Sequence, residues 1–217
     1  MADVIIFGVQ DFAELAHFYL ENDSPHKVVA FSVSEKYMPE KPEFKGVPIF
    51  PFEEIEKKFA PGKYNFFAPM APNKMNQLRT DIYNQIKAKG YEMISYISSK
   101  ATMFKNKIGD NCFILEDNTL QPFTEIGNNV VMWSGNHIGH HGIIKDNITF
   151  TSQVVLSGHC IVEPYSFFGV NSTIRDGITI AEGTFVAMGA VITKSTEPWC
   201  MYKGNPGIKS ETSSKSL

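Results

Sequence analysis

The sequence predicts a chain of two unlike parts, a small α/β unit with a parallel sheet followed by a parallel β-helix. Three observations predict it. Apolar runs and helical patterns alternate over residues 1–98, the order of strand, helix and crossover that builds a small parallel sheet. Residues 99–197 contain no convincing helix, and an apolar residue recurs there at every sixth position. The change of period divides the 217 residues near position 98. The last segment, 198–217, reads as a C-terminal turn and tail, with a mobile Ser/Lys-rich end after Lys209.

In the first part Val4–Phe7 is a short strand closed by Gly8. Residues 11–20 place Phe12, Leu15, Ala16 and Tyr19 at helical spacing, with Asp11 as the expected N-cap. Lys27–Val33 is a second strand, Phe52–Phe59 a short helix and Tyr64–Ala68 a third strand. Asn73–Lys89 is a longer helix stopped by Gly90, and Tyr91–Ile97 a closing strand. Lys74 and Arg79 read as solvated helix charges, with phosphate contact as the second possibility.

In the second part, steps of six from Ile108 pass through Ile114, Leu120, Ile126, Met132 and Ile138 and end at Ile192, and all fifteen positions are apolar. At the chain's mean apolar content, chance would do this on the order of once in several hundred thousand trials for one register. A strand alternates with period two and a helix drifts off six within a few turns. A chain that turns a corner after each short strand keeps the period. Three sides make a coil of about 18 residues, and stacked coils satisfy one another's backbone hydrogen bonds. The position four residues on is mostly small or β-branched, so Cys112 and Cys160 are expected as buried packing residues.

Composition limits the function. A formal charge of −3 argues against a broad basic face for nucleic acid. No apolar run approaches the length of a membrane span, and the start of the chain lacks a signal-peptide pattern, so a cytoplasmic protein is expected. Three cysteines without a CxxC support neither a disulfide framework nor a zinc ribbon. Four of the six histidines crowd between His137 and His159. Residue 158 should stack one coil over residue 140, placing Gly158 beside His140, and His141 should stack likewise with His159. An amide N–H beside an imidazole suits an oxyanion.

The hexads, among them Ile108-Gly-Asp-Asn-Cys-Phe113 and Ile126-Gly-Asn-Asn-Val-Val131, resemble the hexapeptide-repeat acyltransferases, whose solenoids are left-handed. The opening IIFGVQDFAELA, the Gly46–Phe50 segment GVPIF and the Asn73-Lys74…Arg79 helix narrow the resemblance. They are similar to the nucleotide-sugar N-acetyltransferases of the PglD, NeuD and perosamine acetyltransferase type, in which a Rossmann-like domain precedes the β-helix. The resemblance spans residues 3 to about 207.

It implies a homotrimer that transfers acetyl from acetyl-CoA to a 3- or 4-amino group of a sugar linked to UDP, dTDP or GDP, for surface glycan or lipopolysaccharide assembly. His140 matches the family's base, His141 stands where the family has an acid, and Gly158 matches the oxyanion donor. CoA would run past Gly158, Val170, Met188 and Gly189 to Gly204. The sugar nucleotide would meet Gly8, Gln10, Asp11, Phe12, Ser34, Asn73 and Lys74; Gln10 replaces the second glycine of a dinucleotide fingerprint, which argues against NAD. No metal belongs to this reading. The alternatives are a sugar O-acetyltransferase, a β-helical carbonic anhydrase binding zinc through some of His137, His140, His141 and His159, and a β-helix that only binds.

Overall fold

The computed structural model describes residues 1–216; Leu217, the last residue of the segment read as a tail, lies outside them. The α/β unit runs β1 (Asp3–Phe7), α1 (Asp11–Asp23), β2 (Lys27–Val33), β3 (Glu43–Phe44), β4 (Val47–Pro51), β5 (Asn65–Phe67) and α2 (Gln77–Ala88). Its sheet has the order β3-β4-β2-β1-β5, parallel except for the β3 edge. β1 is central and apolar throughout its interior because both of its faces are covered. Val4 and Ile6 pack with Ala13, Ala16 and Leu20 of α1, while Ile5 and Phe7 pack with Phe52, Ile82 and Ile86 on the other side.

Four local expectations are corrected. The N-cap of α1 is Gln10, and Asp11 is the first helical residue. The helix placed at 52–59 is a 3₁₀ segment, Phe52–Lys57. α2 starts at Gln77 rather than Asn73, because Lys74, Met75 and Asn76 hold φ of 51°, 51° and 66°, a left-handed stretch that no right-handed helix can contain. Of the closing strand, Met93 makes a single parallel bridge to Phe66 of β5, while Tyr96–Ile97 (β6) pairs with Phe113–Ile114 and is the first rung of the solenoid.

β7–β21 are fifteen two-residue strands from Lys107–Ile108 to Val191–Ile192, each ending on one of the sixth-position apolar residues. They stack as a left-handed parallel β-helix with three faces. Face I holds Lys107–Ile108, Glu125–Ile126, Ile143–Ile144, Ile161–Val162 and Thr179–Ile180. Face II runs upward from β6 through Phe113–Ile114, Val131–Met132, Thr149–Phe150, Phe167–Phe168 and Phe185–Val186. Face III holds Thr119–Leu120, His137–Ile138, Val155–Leu156, Thr173–Ile174 and Val191–Ile192. Each rung pairs with the residue 18 positions on, as Ile108 with Ile126 and Ile126 with Ile144. The chain turns between faces through one left-handed residue per hexad, at every sixth position from Lys105 to Gly189. The apolar positions fill the interior, where Phe150 and Phe168 stack with centroids 4.4 Å apart. Cys112 and Cys160 are buried free thiols among them, and burial pushes the Cys112 thiol up to about 12.

Arg79 departs most from expectation. It is fully buried, not solvated. The left-handed turn before α2 aims Asn76 and Arg79 at the corner between faces I and II. Arg79 Nε donates to Asn129 Oδ1 at 3.2 Å, Nη1 to the Met70 carbonyl and Thr149 Oγ1, and Nη2 to the Asn129 and Ile148 carbonyls, each at 3.1 Å. Its five-donor fork is thus filled by uncharged oxygens. Burial pushes its pKa down to about 9, which still leaves it charged at neutral pH. Asn129 belongs to a ladder in which Asn111 donates to Asn129 and Asn129 to Asn147 at successive coils.

The end of the chain is also more ordered than expected. β22 (Cys200–Lys203) adds to face II beside Phe185–Val186, and β23 (Ile208–Ser213) pairs antiparallel with β22, so residues 210–213 of the expected tail form an edge strand. Thr196 N donates to the Thr179 carbonyl and Gly207 N to the Val191 carbonyl, covering the last rungs of faces I and III. No helix among the described residues is long and apolar enough to cross a membrane.

Two outcomes follow for stability. Arg79→Ala leaves its carbonyl acceptors buried and should cost about 3–5 kcal/mol, read by denaturant unfolding, and Arg79→Lys should not restore it with three donors in place of five. Asp23 accepts hydrogen bonds from Ser99 N and Tyr96 OH, which hold its carboxyl down at about 2 against an ordinary 3.8. That stabilisation is complete above the unfolded value and is lost as pH falls through the folded one. Unfolding measured across that acid window should show a shallower pH dependence in Asp23→Asn.

Candidate functional site

The corner between faces III and I carries the histidines. His140 and His141 lie between Ile138 and Ile143, and Gly158 and His159 occupy the same positions one coil later. The His140 ring lies across the Gly158 backbone. A Cβ built on Gly158 would sit 2.9 Å from Cε1, 3.0 Å from Nε2 and 3.2 Å from Nδ1 of that ring, so only glycine lets the imidazole rest there. The Gly158 N–H donates to no acceptor among the described residues and remains available beside the ring.

His140 Nδ1 stands 3.0 Å from His141 Nδ1, with the rings perpendicular. His141 stacks on His159 at 14° and 5.0 Å, the juxtaposition expected from their spacing. Two participants escaped the sequence reading. Gln121 Oε1 accepts the His140 N–H at 3.0 Å, and the exposed Phe123 lies 4.7 Å from the His141 ring. Both could have been found by subtracting 18 from positions 139 and 141. The four-histidine cluster divides: nitrogens of His140, His141 and His159 lie within 4.8 Å of one another, near enough to share a cation, while His137 points out from face III and is not among them.

Apart from Gly158, the residues expected to meet CoA lie elsewhere. Val170, Met188 and Gly189 occupy the corner between faces II and III, with Met188 77% exposed and Gly189 at φ 68° with open space beyond it. The Gly204 carbonyl accepts the Val191 N–H, which adds it to the same end of that corner. Within one chain, His140 and this apolar corner are therefore separated by the full width of face III.

The remaining group sits on the α/β unit. Gly8 follows β1, Ser34 follows β2, and the Gly8 N–H donates to the Ser32 carbonyl at 2.8 Å, so both mark the carboxyl ends of parallel strands, where such sheets take ligands. Gln10 and Asp11 open α1, and the acidic Asp11 and Glu14 of its first turn already complement the helix dipole, which weakens its N-terminus as an anion site. Phe12 meets Trp133 edge to face at 5.5 Å, tying the start of α1 to the II–III corner. Asn73 and Lys74 are exposed beyond the end of β5.

A sequence model described as the hexapeptide repeat of succinyl-transferase matches residues 160–194. The solved structure of perosamine N-acetyltransferase from Caulobacter crescentus, in complex with CoA and GDP-perosamine, superposes with a TM-score of 0.85 over 98% of both chains at 17% identity. At that identity the likeness is one of fold. An acyl-[acyl-carrier-protein]–UDP-N-acetylglucosamine O-acyltransferase from Sinorhizobium fredii is 28% identical over 110 residues, 48% of this chain and 41% of that protein. The mitochondrial gamma carbonic anhydrase 1 of Arabidopsis thaliana is 38% identical over 72 residues, 31% of this chain and 25% of that protein. The chain thus spans about two fifths or less of these two curated relatives' lengths.

The packing separates two glycines by their expected response. Gly158→Ala meets only the end of an exposed side chain, so stability should stay within about 1 kcal/mol while the imidazole is displaced and its NMR signals shift. Gly139→Ala would put a Cβ 2.5 Å from the Gly158 backbone nitrogen and should destabilise by about 1–3 kcal/mol in thermal unfolding.

Proposed function

We propose that the chain is an acetyl-CoA-dependent N-acetyltransferase acting on the amino group of a nucleotide-linked 3- or 4-amino-deoxy sugar, as a cytoplasmic homotrimer serving surface glycan assembly. The observation that carries this reading is the His140 ring lying on Gly158 beside an uncommitted amide. The sugar amine attacks the thioester carbonyl, His140 Nε2 takes the amine proton, and the Gly158 N–H stabilises the oxyanion. The intermediate collapses, the C–S bond breaks, and the proton passes to the departing CoA sulfur. No protein nucleophile is needed.

The trimer is supported by the division of the expected site between two corners. A second copy would bring its II–III corner, with Val170, Met188, Gly189 and Gly204, against the His140 corner of the first. Pantetheine fits that corner through the exposed Val170 and Met188 and the close approach allowed at Gly189. The Phe12–Trp133 contact brings the α/β unit to the same corner, so Gly8, Gln10, Asp11, Phe12, Ser34, Asn73 and Lys74 would hold the nucleotide close to the acetyl donor. The neighbour of known structure binds CoA and GDP-perosamine, which supports a GDP-, UDP- or dTDP-sugar here. A hydroxyl in place of the amine would give the O-acetyl product with the same base.

A second reading has its own observation. The convergent nitrogens of His140, His141 and His159 could hold zinc for hydrolytic chemistry of the carbonic anhydrase kind. Acetyl-CoA thiol release against a panel of UDP-, dTDP- and GDP-linked 3- and 4-amino sugars separates the readings, with metal content measured on the same protein. One sugar nucleotide should be turned over, and His140→Ala should lower kcat by about a hundredfold to ten-thousandfold with the fold intact. An undiminished His140→Ala, or stoichiometric zinc without thiol release, overturns the proposal.

A further inference from the structure

Acting as a base through Nε2 imposes a condition on His140: its proton must sit on Nδ1. The usual way to meet it is an acid hydrogen-bonded to Nδ1–H. Here the only side chain within reach of that nitrogen among the described residues is His141, at 3.0 Å between the two Nδ1 atoms. Two nitrogens at that distance share one hydrogen. If His141 supplied it, His140 would carry its own proton on Nε2 and could not accept one from the amine. If His140 supplies it, His141 Nδ1 is the acceptor and Nε2 of His140 keeps its lone pair.

The surroundings of His141 favour a fixed acceptor. Phe123, His141 and His159 occupy one corner position in three successive coils, with left-handed φ of 67°, 57° and 59°. The shared backbone conformation throws the three side chains the same way, and the rings pile into a column with His141 between the other two. The exposed His141 ring has a neighbour on each side, Phe123 tilted at 38° and His159 stacked at 14°, and its Nδ1 edge meets His140. The His140 backbone is pinned as well, its N–H to Gln121 Oε1 and its carbonyl by the His159 N–H at 2.9 Å.

We infer that His141 is the positioning residue of the base, accepting the His140 Nδ1–H from a ring that lies between Phe123 and His159. This rests on the acetyltransferase reading and names what stands in for the missing acid. As His140 takes the amine proton it becomes an imidazolium whose Nδ1–H points at a neutral acceptor, so the positive charge is held less firmly than a carboxylate would hold it.

The test combines kinetics with nitrogen NMR of the full chain at a pH above the ordinary imidazole range. In the wild type His140 should be the Nδ1–H tautomer. His141→Phe keeps an aromatic ring in the column but no acceptor. It should lower kcat about tenfold with KM for both substrates unchanged, and should move the His140 proton toward Nε2. His141→Glu restores an acceptor and should return kcat to at least the wild-type level with the Nδ1–H tautomer. A wild-type His140 protonated on Nε2, or full activity in His141→Phe, overturns the inference. If His140→Ala is inactive while His141→Phe is fully active, only this inference falls; if His140→Ala is fully active, the acetyltransferase reading falls first.

Discussion

The parallel pairing of each residue with the one 18 positions later is the constraint on which the rest of the molecule depends. Each rung has only two strand residues, too few for a strand to hold itself, so every coil is stable only as part of the stack. The pairing fixes which side chains share the interior, and the hexad rule follows from it. It also aligns functional groups that are far apart in sequence. Gly158 is beside His140, and Phe123, His141 and His159 form one column, because a single register applies to all of them. The site needs no loop to assemble it.

The most deeply buried joint between the α/β unit and this stack is a cation that has no anion. Arg79 ends in five neutral oxygens, from Asn129, Thr149, Ile148 and Met70, so its stability comes from hydrogen-bond completeness rather than charge pairing. Three of those partners lie on two successive coils of the β-helix. The unit is therefore docked at one height, and Phe12 meets Trp133 at a defined level of the II–III corner.

Much of this was legible in the sequence because the period is strict. All fifteen sixth-position residues end a strand, and the stacking of Gly158 with His140 and of His159 with His141 needed only counting. The errors share a cause. Helical periodicity says nothing of a left-handed turn at Lys74–Asn76 or of what the helix docks against, so the spacing places the helix start at Asn73 and Arg79 in solvent. An apolar strand carries no mark of its partner, so nothing in residues 91–97 says that Met93 bridges Phe66 while Tyr96 pairs with Phe113. The division of the expected site between two corners was also hidden, since a period of six does not say which residues of a coil face a ligand.

The C-terminal hairpin has a bearing on solubility. A stack of identical coils has no intrinsic length, and its last open rung is a template on which another chain could grow by the same pairing. β23 runs antiparallel, and the strap through Thr196 and Gly207 occupies the acceptors at the ends of faces I and III. A coil arriving in the parallel sense finds the wrong polarity on one face and spent carbonyls on the others. β23 and the strap thus act as a chain terminator in the polymer sense, on a motif that could otherwise grow into a fibre.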